Sequence, residues 1–218
     1  MTSSIEFELG TGVYSLKDAA QIINRGAGHA SEKQVRFWVR EDLSKSMSIN
    51  GNKLLSFEDL VSLEMISRFR NTGISLQAVR IAERNLRRRF PEILRPLASL
   101  VFYADGKKIW TLIGKAEDPD LLEIFGKVDQ LAWMEAIETF ATRIQFDNGH
   151  VSSWRPTDWV EINPRIQFGE PVILGTRVTV HTVMANLEVG TPEEVADWYG
   201  LTKDQVLGAR SYINSNAA

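Results

Sequence analysis

The chain has 218 residues, of which 44% are hydrophobic and 24% charged, a composition typical of a globular protein with one large domain or two small ones. It contains no cysteine, which excludes disulfide-stapled folds, cysteine–zinc sites, iron–sulfur clusters and thiol nucleophiles. No apolar run reaches the ~20 residues of a membrane helix, and the first residues lack a signal-peptide pattern. We therefore expect a cytoplasmic protein with no membrane partner.

The net charge of -3 is divided unevenly along the chain. Residues 1–95 hold 15 Lys and Arg against 11 Asp and Glu, whereas residues 96–218 hold 10 against 17. A basic front half favours a nucleic-acid partner, because phosphate contacts supply most of the non-specific affinity. A chance division of solvated surface charge is the alternative explanation.

Two short helices are predicted near the start of the chain. Ser15 is an N-cap residue with Asp18 in the capping-box position, and apolar residues at helical spacing follow over 15–24. Ser31 begins a second helix, on which Val35, Trp38 and Val39 face inward. Because a glycine-containing turn joins the two helices, the segment is typical of a helix-turn-helix.

A hairpin follows the second helix, at the place where the wing of a winged helix-turn-helix would lie. Its turn is Asn50-Gly51, the strongest hairpin signal in a short sequence. A third helix is predicted from Ser56 to Gly73 with one apolar stripe, and a fourth helix from Ser75 to Pro91.

The pattern changes after the Pro91–Pro96 stretch. Hairpins are predicted with turns at Asp105-Gly106 and near Asn148-Gly149, and short strands around Pro164 and Gly169. Helices are predicted over about 119–126, 130–142, 181–189, 191–200 and 202–213, with Trp198 and Tyr199 buried. We expect an α+β protein with an N-terminal winged helix-turn-helix (1–95), a small β-hairpin-containing middle (96–157) and a C-terminal helical module with short strands (158–218).

The second helix carries the strongest candidates for chemistry. Lys33, Arg36 and Arg40 share one face of it, opposite the inward-facing valines. On a recognition helix such cations contact phosphates or guanine, and Gln34 can read adenine. Lys53 places a cation on the wing. The alternative is a solvated basic helix face.

The stretch from Tyr14 to about Phe90 resembles the winged helix-turn-helix of the MerR family. The resemblance is carried by Tyr14-Ser15, Arg36-Phe37-Trp38, the run 50–53, the run 56–60 and the run 73–76. It implies DNA-backbone contacts for Arg36, Trp38 and Lys53. The chain departs from the family at Asn52 and Leu55, where aromatics are usual, and at Pro91, which interrupts the helix that pairs the monomers. The predicted DNA-binding residues are Lys33, Gln34, Arg36, Trp38, Arg40, Asn50 and Lys53.

The C-terminal stretch over about 160–213 resembles the domain-of-unknown-function-433 family. The resemblance is carried by the motifs Asn163-Pro164-Arg165, Phe168-Gly169-Glu170-Pro171 and Gly175-Thr176-Arg177, and by Gly190. It implies an antitoxin of VapB type, whose partner is a VapC-like PIN-domain ribonuclease with a magnesium-binding cluster of carboxylates. We expect Arg177 and Arg210 to bind this toxin, unless they pair with internal carboxylates such as Glu170 and Asp204.

No pattern indicates catalysis, a metal or a cofactor. His29, His150 and His181 have no metal-ligand spacing, and Gly114-Lys115 lacks the rest of a phosphate-binding loop. We therefore predict a non-enzymatic, homodimeric type II antitoxin that binds operator DNA and a toxin. The alternative is a MerR-like, effector-responsive transcription regulator with a C-terminal small-molecule sensor domain. A deep apolar pocket in residues 96–218 would favour the regulator, and a flat or self-complementary surface would favour the antitoxin.

Overall fold

The computed structural model describes residues 12–41, 43–44, 46–49, 51–89, 91, 95–98, 140–147 and 150–215. The hairpin predicted at Asp105-Gly106, the helix over 119–126 and most of the helix over 130–142 lie outside these residues. The predicted contact residue Asn50 and the Asn148-Gly149 turn also lie outside them.

The front of the chain contains the predicted helices and the predicted β-hairpin. In order, its elements are β1 (Tyr14–Ser15), α1 (Leu16–Arg25), α2 (Glu32–Arg40), β2 (Met47–Ile49), β3 (Asn52–Leu55), α3 (Phe57–Asn71) and α4 (Leu76–Arg89). The strands form an antiparallel sheet in the order β1-β3-β2, so the wing hairpin is joined to the strand that precedes α1.

A serine begins each of the first three helices. The hydroxyl oxygens of Ser15, Ser31 and Ser56 each accept a hydrogen bond from the backbone N–H three residues later. The side chain at that later position accepts in turn from the serine N–H. These capping boxes satisfy N–H groups that a helix end would otherwise leave without partners. The capped starts predicted at all three serines are confirmed.

Helix α3 is the centre of the front core. The sequence predicts one apolar stripe on it, but almost every residue from Phe57 to Phe69 is buried, including Asp59, Glu64 and Arg68. The predicted apolar stripe is buried as expected, and the opposite, polar side is buried as well because β5 and Phe140, from the other half of the chain, pack on it. The polar side chains on that side therefore need internal partners.

The described back part begins with a hairpin and ends with three helices. In order, its elements are β4 (Ile144–Asp147), β5 (His150–Trp154), β6 (Val160–Glu161), a 3-10 turn (Gln167–Gly169), β7 (Val172–Ile173), α5 (Val180–Asn186), α6 (Pro192–Tyr199) and α7 (Lys203–Asn214). The pairs β4–β5 and β6–β7 are antiparallel. Helices and small antiparallel sheets agree with the expected α+β class.

Two apolar clusters form the interior. The larger one runs from Tyr14 to Ala98 and also includes Phe140, Trp154 and Ile162. The smaller one lies within residues 160–213 and is formed mainly by valines of β6, α5, α6 and α7. The predicted domain boundaries stay a prediction, and the shared cluster leads us to expect that the β4–β5 hairpin unfolds together with the front helices.

The two clusters meet along α1. The Tyr14 hydroxyl donates to the Gly169 carbonyl at 2.9 Å, and the Ser215 hydroxyl donates to the Arg25 carbonyl at 3.3 Å. The Arg25 guanidinium lies 5.8 Å from the centre of the Tyr212 ring, within cation–π range. The helix-turn-helix and the C-terminal helices are therefore in direct contact.

Candidate functional site

The turn between α1 and α2 is held in place by two side chains. Asn24 accepts from the Ala30 N–H and donates to the Ala30 carbonyl, both at 2.8 Å. Ser67 of α3 accepts from the His29 N–H at 2.7 Å. Gly28 lies so close to α3 that an added Cβ would be 2.9 Å from the Ser67 Oγ, so a side chain there would push the turn away. The angle between the two helices is thus fixed by the core.

The outward face of α2 presents the predicted cations. Lys33, Arg36 and Arg40 are all exposed. Arg36 forms an ion pair of 2.6 Å with Glu32 one turn earlier, and its side chain is still 61% exposed. Arg40 lies 3.8 Å from Glu41. Exposed pairs of this kind contribute about 0–1 kcal/mol, so a phosphate can replace the carboxylate at little cost.

Gln34 and Trp38 have other roles in the structure. The Gln34 side-chain oxygen accepts from the Ser31 N–H at 2.8 Å and from its hydroxyl at 2.9 Å. Bidentate reading of adenine needs that same oxygen, so Gln34 would have to release the cap first. Trp38 is 3% exposed and packs in the core. It positions α2 and offers little surface to a DNA backbone.

The β2–β3 hairpin presents Lys53 to solvent. In the β2–β3 ladder Lys53 is opposite Ser48, and its side chain is exposed. Gly51 has a φ of 82°, the left-handed conformation that the Asn-Gly turn predicts. Among the described residues of the hairpin, Lys53 is thus an exposed cation like those of α2.

Arg80 of α4 extends this basic surface, and sequence reasoning missed it. Its guanidinium forms an ion pair with Glu41 and lies 6.0 Å from the centre of the Phe37 ring. Arg40 lies 5.1 Å from the same ring. Two cations from different helices thus share one half-exposed aromatic. No spacing rule could find this cluster, since α2 and α4 meet only through tertiary packing.

The two arginines predicted to bind a toxin lie apart on the C-terminal module. Both are exposed, and neither forms an ion pair with any part of the chain that the structure describes. The alternative in which they pair with Glu170 and Asp204 is thus not seen there. The Arg177 carbonyl accepts from the Gln167 Nε2 at 3.0 Å, which ties it to the 3-10 turn.

Phe168 in that turn is a candidate that the sequence did not single out. Its side chain is 81% exposed, and its backbone is left-handed with a φ of 56° and a ψ of 23°. The neighbouring Gln167 also has a positive φ, of 46°. Non-glycine residues adopt this region at a cost of about 1–2 kcal/mol. Strained backbone that presents a large apolar side chain to solvent is typical of a binding site.

The junction between the two cores holds buried polar groups. Glu64 is fully buried, accepts from the Arg68 Nε at 2.7 Å and leaves its other oxygen without a partner among the described residues. Burial raises the pKa of Glu64 to about 7, although the Arg68 guanidinium acts in the opposite direction. Arg68 lies 4.6 Å from the centre of the Phe140 ring. Burial also raises the pKa values of the Tyr14 and Tyr212 phenols, so both hydroxyls stay protonated.

A groove lies between α1 and the C-terminal module. It has a volume of about 650 Å³ and is half open to solvent. Apolar side chains such as Ile22, Val180 and Met184 alternate in its lining with polar ones such as Asp18, Arg25 and His181. It is a mixed cleft between the two cores, and it differs from the deep apolar pocket that would favour a sensor domain.

Metal and membrane features give little further information. Within the described ranges, no three or more His, Asp or Glu residues form a group that could hold a metal ion. His150 lies 3.0 Å from a Glu58 oxygen, and His181 lines the groove. The same ranges contain no helix with the length and apolar character needed to cross a bilayer.

Residues 160–213 match the family described as Protein of unknown function (DUF433). We refer to these residues as the DUF433 module. The match contains the whole smaller apolar cluster, from β6 to α7. The expected resemblance of this stretch is confirmed, with the expected bounds.

Curated relatives are similar to different lengths of the chain. The "Uncharacterized HTH-type transcriptional regulator Rv1830" of Mycobacterium tuberculosis is 31% identical over 96 residues, and its counterpart Mb1861 of Mycobacterium bovis is equally similar. This match covers 42% of the chain and only 41% of each relative. The "Putative antitoxin VapB45" of M. tuberculosis is 28% identical over 172 residues, covering 73% of the chain and 71% of the relative.

A solved structure shares the fold. The crystal structure of Rv2018 from M. tuberculosis superposes with a TM-score of 0.72, covering 95% of this chain and 100% of that one, at 23% sequence identity. The chain is therefore similar to proteins named as an antitoxin and as HTH-type regulators, and its mixed helix-and-strand fold recurs in a known structure.

Proposed function

We propose that this chain is a type II antitoxin that binds its operator DNA through α2 and the wing as a homodimer, and that neutralises a PIN-domain ribonuclease toxin. The observation that carries the DNA-binding half is the exposed row Lys33, Arg36 and Arg40 on α2, with exposed Lys53 on the hairpin, since both elements pack on one core. A convex basic surface of one helix and one hairpin fits a major groove and its flanking backbone.

The contacts of this surface are mainly with phosphate. Arg36 and Arg40 release weak, exposed ion pairs when phosphates take the place of Glu32 and Glu41, and Lys33 and Lys53 are also exposed. Gln34 keeps its amide donors while its oxygen caps α2. We therefore expect strong, salt-dependent affinity with few direct base contacts on the described part of the surface.

The toxin contact is proposed on the DUF433 module at Phe168 and Arg177. Arg210, which lines the groove beside Gly190, is not part of it. The Gln167–Arg177 hydrogen bond supports this choice, because it ties the loop of an exposed guanidinium to the turn of an exposed aromatic. Aromatic and arginine side chains dominate protein interfaces. A guanidinium can also pair with a carboxylate of a magnesium site.

Co-expression tests this proposal with the protein encoded in the neighbouring reading frame. The wild-type chain should relieve the growth arrest that this neighbour causes, and Arg177→Glu with Phe168→Asp should not. Both proteins should still retard the DNA upstream of their gene, because α2 and the wing are unchanged. A neighbour that is not toxic, or that the double variant neutralises fully, would contradict the proposed toxin site.

An effector-responsive regulator is the second candidate. The groove between α1 and the module lacks the deep apolar character first expected of a sensor, but its mixed lining is the place where a polar effector would bind. A ligand held by Arg25 and Tyr212 would touch both cores and could alter the position of α1. Operator affinity distinguishes the candidates. A change caused by the small-molecule fraction of a cell extract favours the regulator, and a change caused only by the neighbouring protein favours the antitoxin.

A further inference from the structure

The DUF433 module exposes an apolar face at the turn between α5 and α6. Val189 is 80% exposed, Trp198 54% and Tyr199 36%, so the expected burial of the two aromatics is wrong. Gly190 lies under the Trp198 ring, where an added Cβ would be 2.6 Å from the ring edge. The glycine lets the indole lie flat against the α5–α6 turn. We call Val189, Gly190 and Trp198, with the groove beside them, the Val189–Trp198 face.

Charges of both signs border this face. A groove of about 450 Å³ runs beside Gly190 and is lined by Met184, Leu187 and Pro192. Glu188 and Arg210 also line it. Neither of these two forms an ion pair with the residues that the structure describes, although nearby Glu193 is paired with Lys203 at 2.5 Å. An acid and a base without internal partners thus flank one apolar surface.

We propose that the Val189–Trp198 face is the interface with a second copy of this chain, related by a two-fold axis. The proposal rests on the proposed function, since operator binding needs two helix-turn-helix units. In a two-fold interface, a residue i of one copy contacts a residue j of the other, and residue j of the first copy contacts residue i of the second. A surface that carries both an acid and a base therefore complements itself. Glu188 of each copy then pairs with Arg210 of the other, around a centre formed by Val189 and Trp198.

A second copy fits this face better than the toxin does. The exposed acids Glu188 and Asp197 lie on or beside the face, and they would repel the carboxylates of a PIN active site. Against a second copy the same surface supplies the countercharge at Arg210. The assignment leaves Phe168 and Arg177 for the toxin, so the two partners contact different residues of the module.

Sedimentation equilibrium of the full chain tests the interface. Val189→Asp should raise the dimer dissociation constant at least tenfold, because it places a carboxylate at the apolar centre. Phe168→Asp is the matched control, since Phe168 is equally exposed on the same module. It should leave the dissociation constant unchanged and affect toxin neutralisation only.

Charge exchange gives a second, sharper readout. Glu188→Arg and Arg210→Glu should each weaken the dimer, and the double variant should regain most of the affinity because the pairs re-form with reversed signs. The inference is overturned if the wild-type chain is a monomer at micromolar concentration, if Val189→Asp has no effect, or if the double variant is weaker than both single variants.

The test also separates this inference from the proposed function. If Val189→Asp stays dimeric but loses toxin neutralisation, the face belongs to the toxin and the inference fails. If it becomes monomeric, loses operator affinity and still neutralises the toxin, both stand. If the wild-type chain dimerises through this face yet binds neither DNA nor toxin, the inference holds and the proposed function fails. Far-UV circular dichroism checks that each variant is folded.

Discussion

The hydroxyl of Tyr14 donates a 2.9 Å hydrogen bond to the carbonyl of Gly169, across 155 positions of sequence. Tyr14 belongs to the strand that pairs with the wing strand β3, and Gly169 ends the strained turn that presents Phe168. One hydrogen bond thus connects the proposed DNA-binding unit with the proposed toxin-binding turn. It gives the two functions a direct structural link.

Removing this hydroxyl should destabilise the protein. Tyr14→Phe leaves the Gly169 carbonyl without its donor, and we expect a loss of about 1–3 kcal/mol in the free energy of unfolding, measured by urea denaturation. Tyr212→Phe is the matched control, because Tyr212 is equally buried but its hydroxyl has no hydrogen-bond partner among the described residues. That variant should be neutral or slightly more stable. Equal losses in both variants would contradict the account.

Glu64 should make stability fall as the pH rises from about 4.5 to about 7. Its pKa is raised from 4.5 to about 7 in the folded chain, so the folded state binds the proton more tightly than the unfolded state does. Protonation of Glu64 therefore favours folding. This stabilisation is lost as the pH rises through the window, and above it Glu64 makes no further change to the free energy of unfolding. A shift of this size corresponds to roughly 3 kcal/mol at most.

Glu64→Gln isolates this contribution because a carboxamide keeps the shape and cannot titrate. The free energy of unfolding of the wild type minus that of the variant should decrease between pH 5 and pH 7. Urea denaturation at several pH values measures this difference. A difference that is flat, or that grows with pH, would show that burial does not dominate the pKa of Glu64.

The strained turn at Phe168 should lower the stability of the fold while it presents the ring that binds the toxin. Asn tolerates the left-handed region better than Phe, so Phe168→Asn should raise the free energy of unfolding by about 0.5–1 kcal/mol while weakening toxin binding. Val189→Asn serves as the control, because Val189 is equally exposed without a positive φ. Its stability should stay within about 0.5 kcal/mol of the wild type. A loss of stability in Phe168→Asn would mean that the aromatic ring stabilises its own turn.

Much of the fold could be predicted from local signals. Local signals are the capping serines, the Asn-Gly turn and the glycines that end helices. They act within a few residues, so the helix starts and the hairpin could be predicted. Helix α5 is shorter than predicted, ending at Asn186, because Leu187 to Gly190 turn back towards α6. Where the determining contact was local, the sequence was a good guide.

The long-range features could not be predicted. The burial of the polar side of α3 depends on Phe140 and β5, which are some 80 residues away in sequence. The Arg80–Phe37 contact depends on how α4 packs against α2. The exposure of Trp198 depends on the space that Gly190 leaves beside its ring. The spacing of apolar residues in the sequence does not predict these contacts. The cations of α2 were found because helical spacing alone places them on one face.

The salt dependence of DNA binding tests the central claim most directly. Fluorescence anisotropy with the DNA upstream of the gene should give an affinity that falls with salt, and Arg36→Ala and Lys53→Ala should each lower the slope of log K against log [salt] by about 1. Lys203→Ala removes the same charge from the DUF433 module and should leave the slope unchanged. Absence of DNA binding by the wild type, or equal slopes in all four proteins, would contradict the assignment of α2 and the wing to DNA.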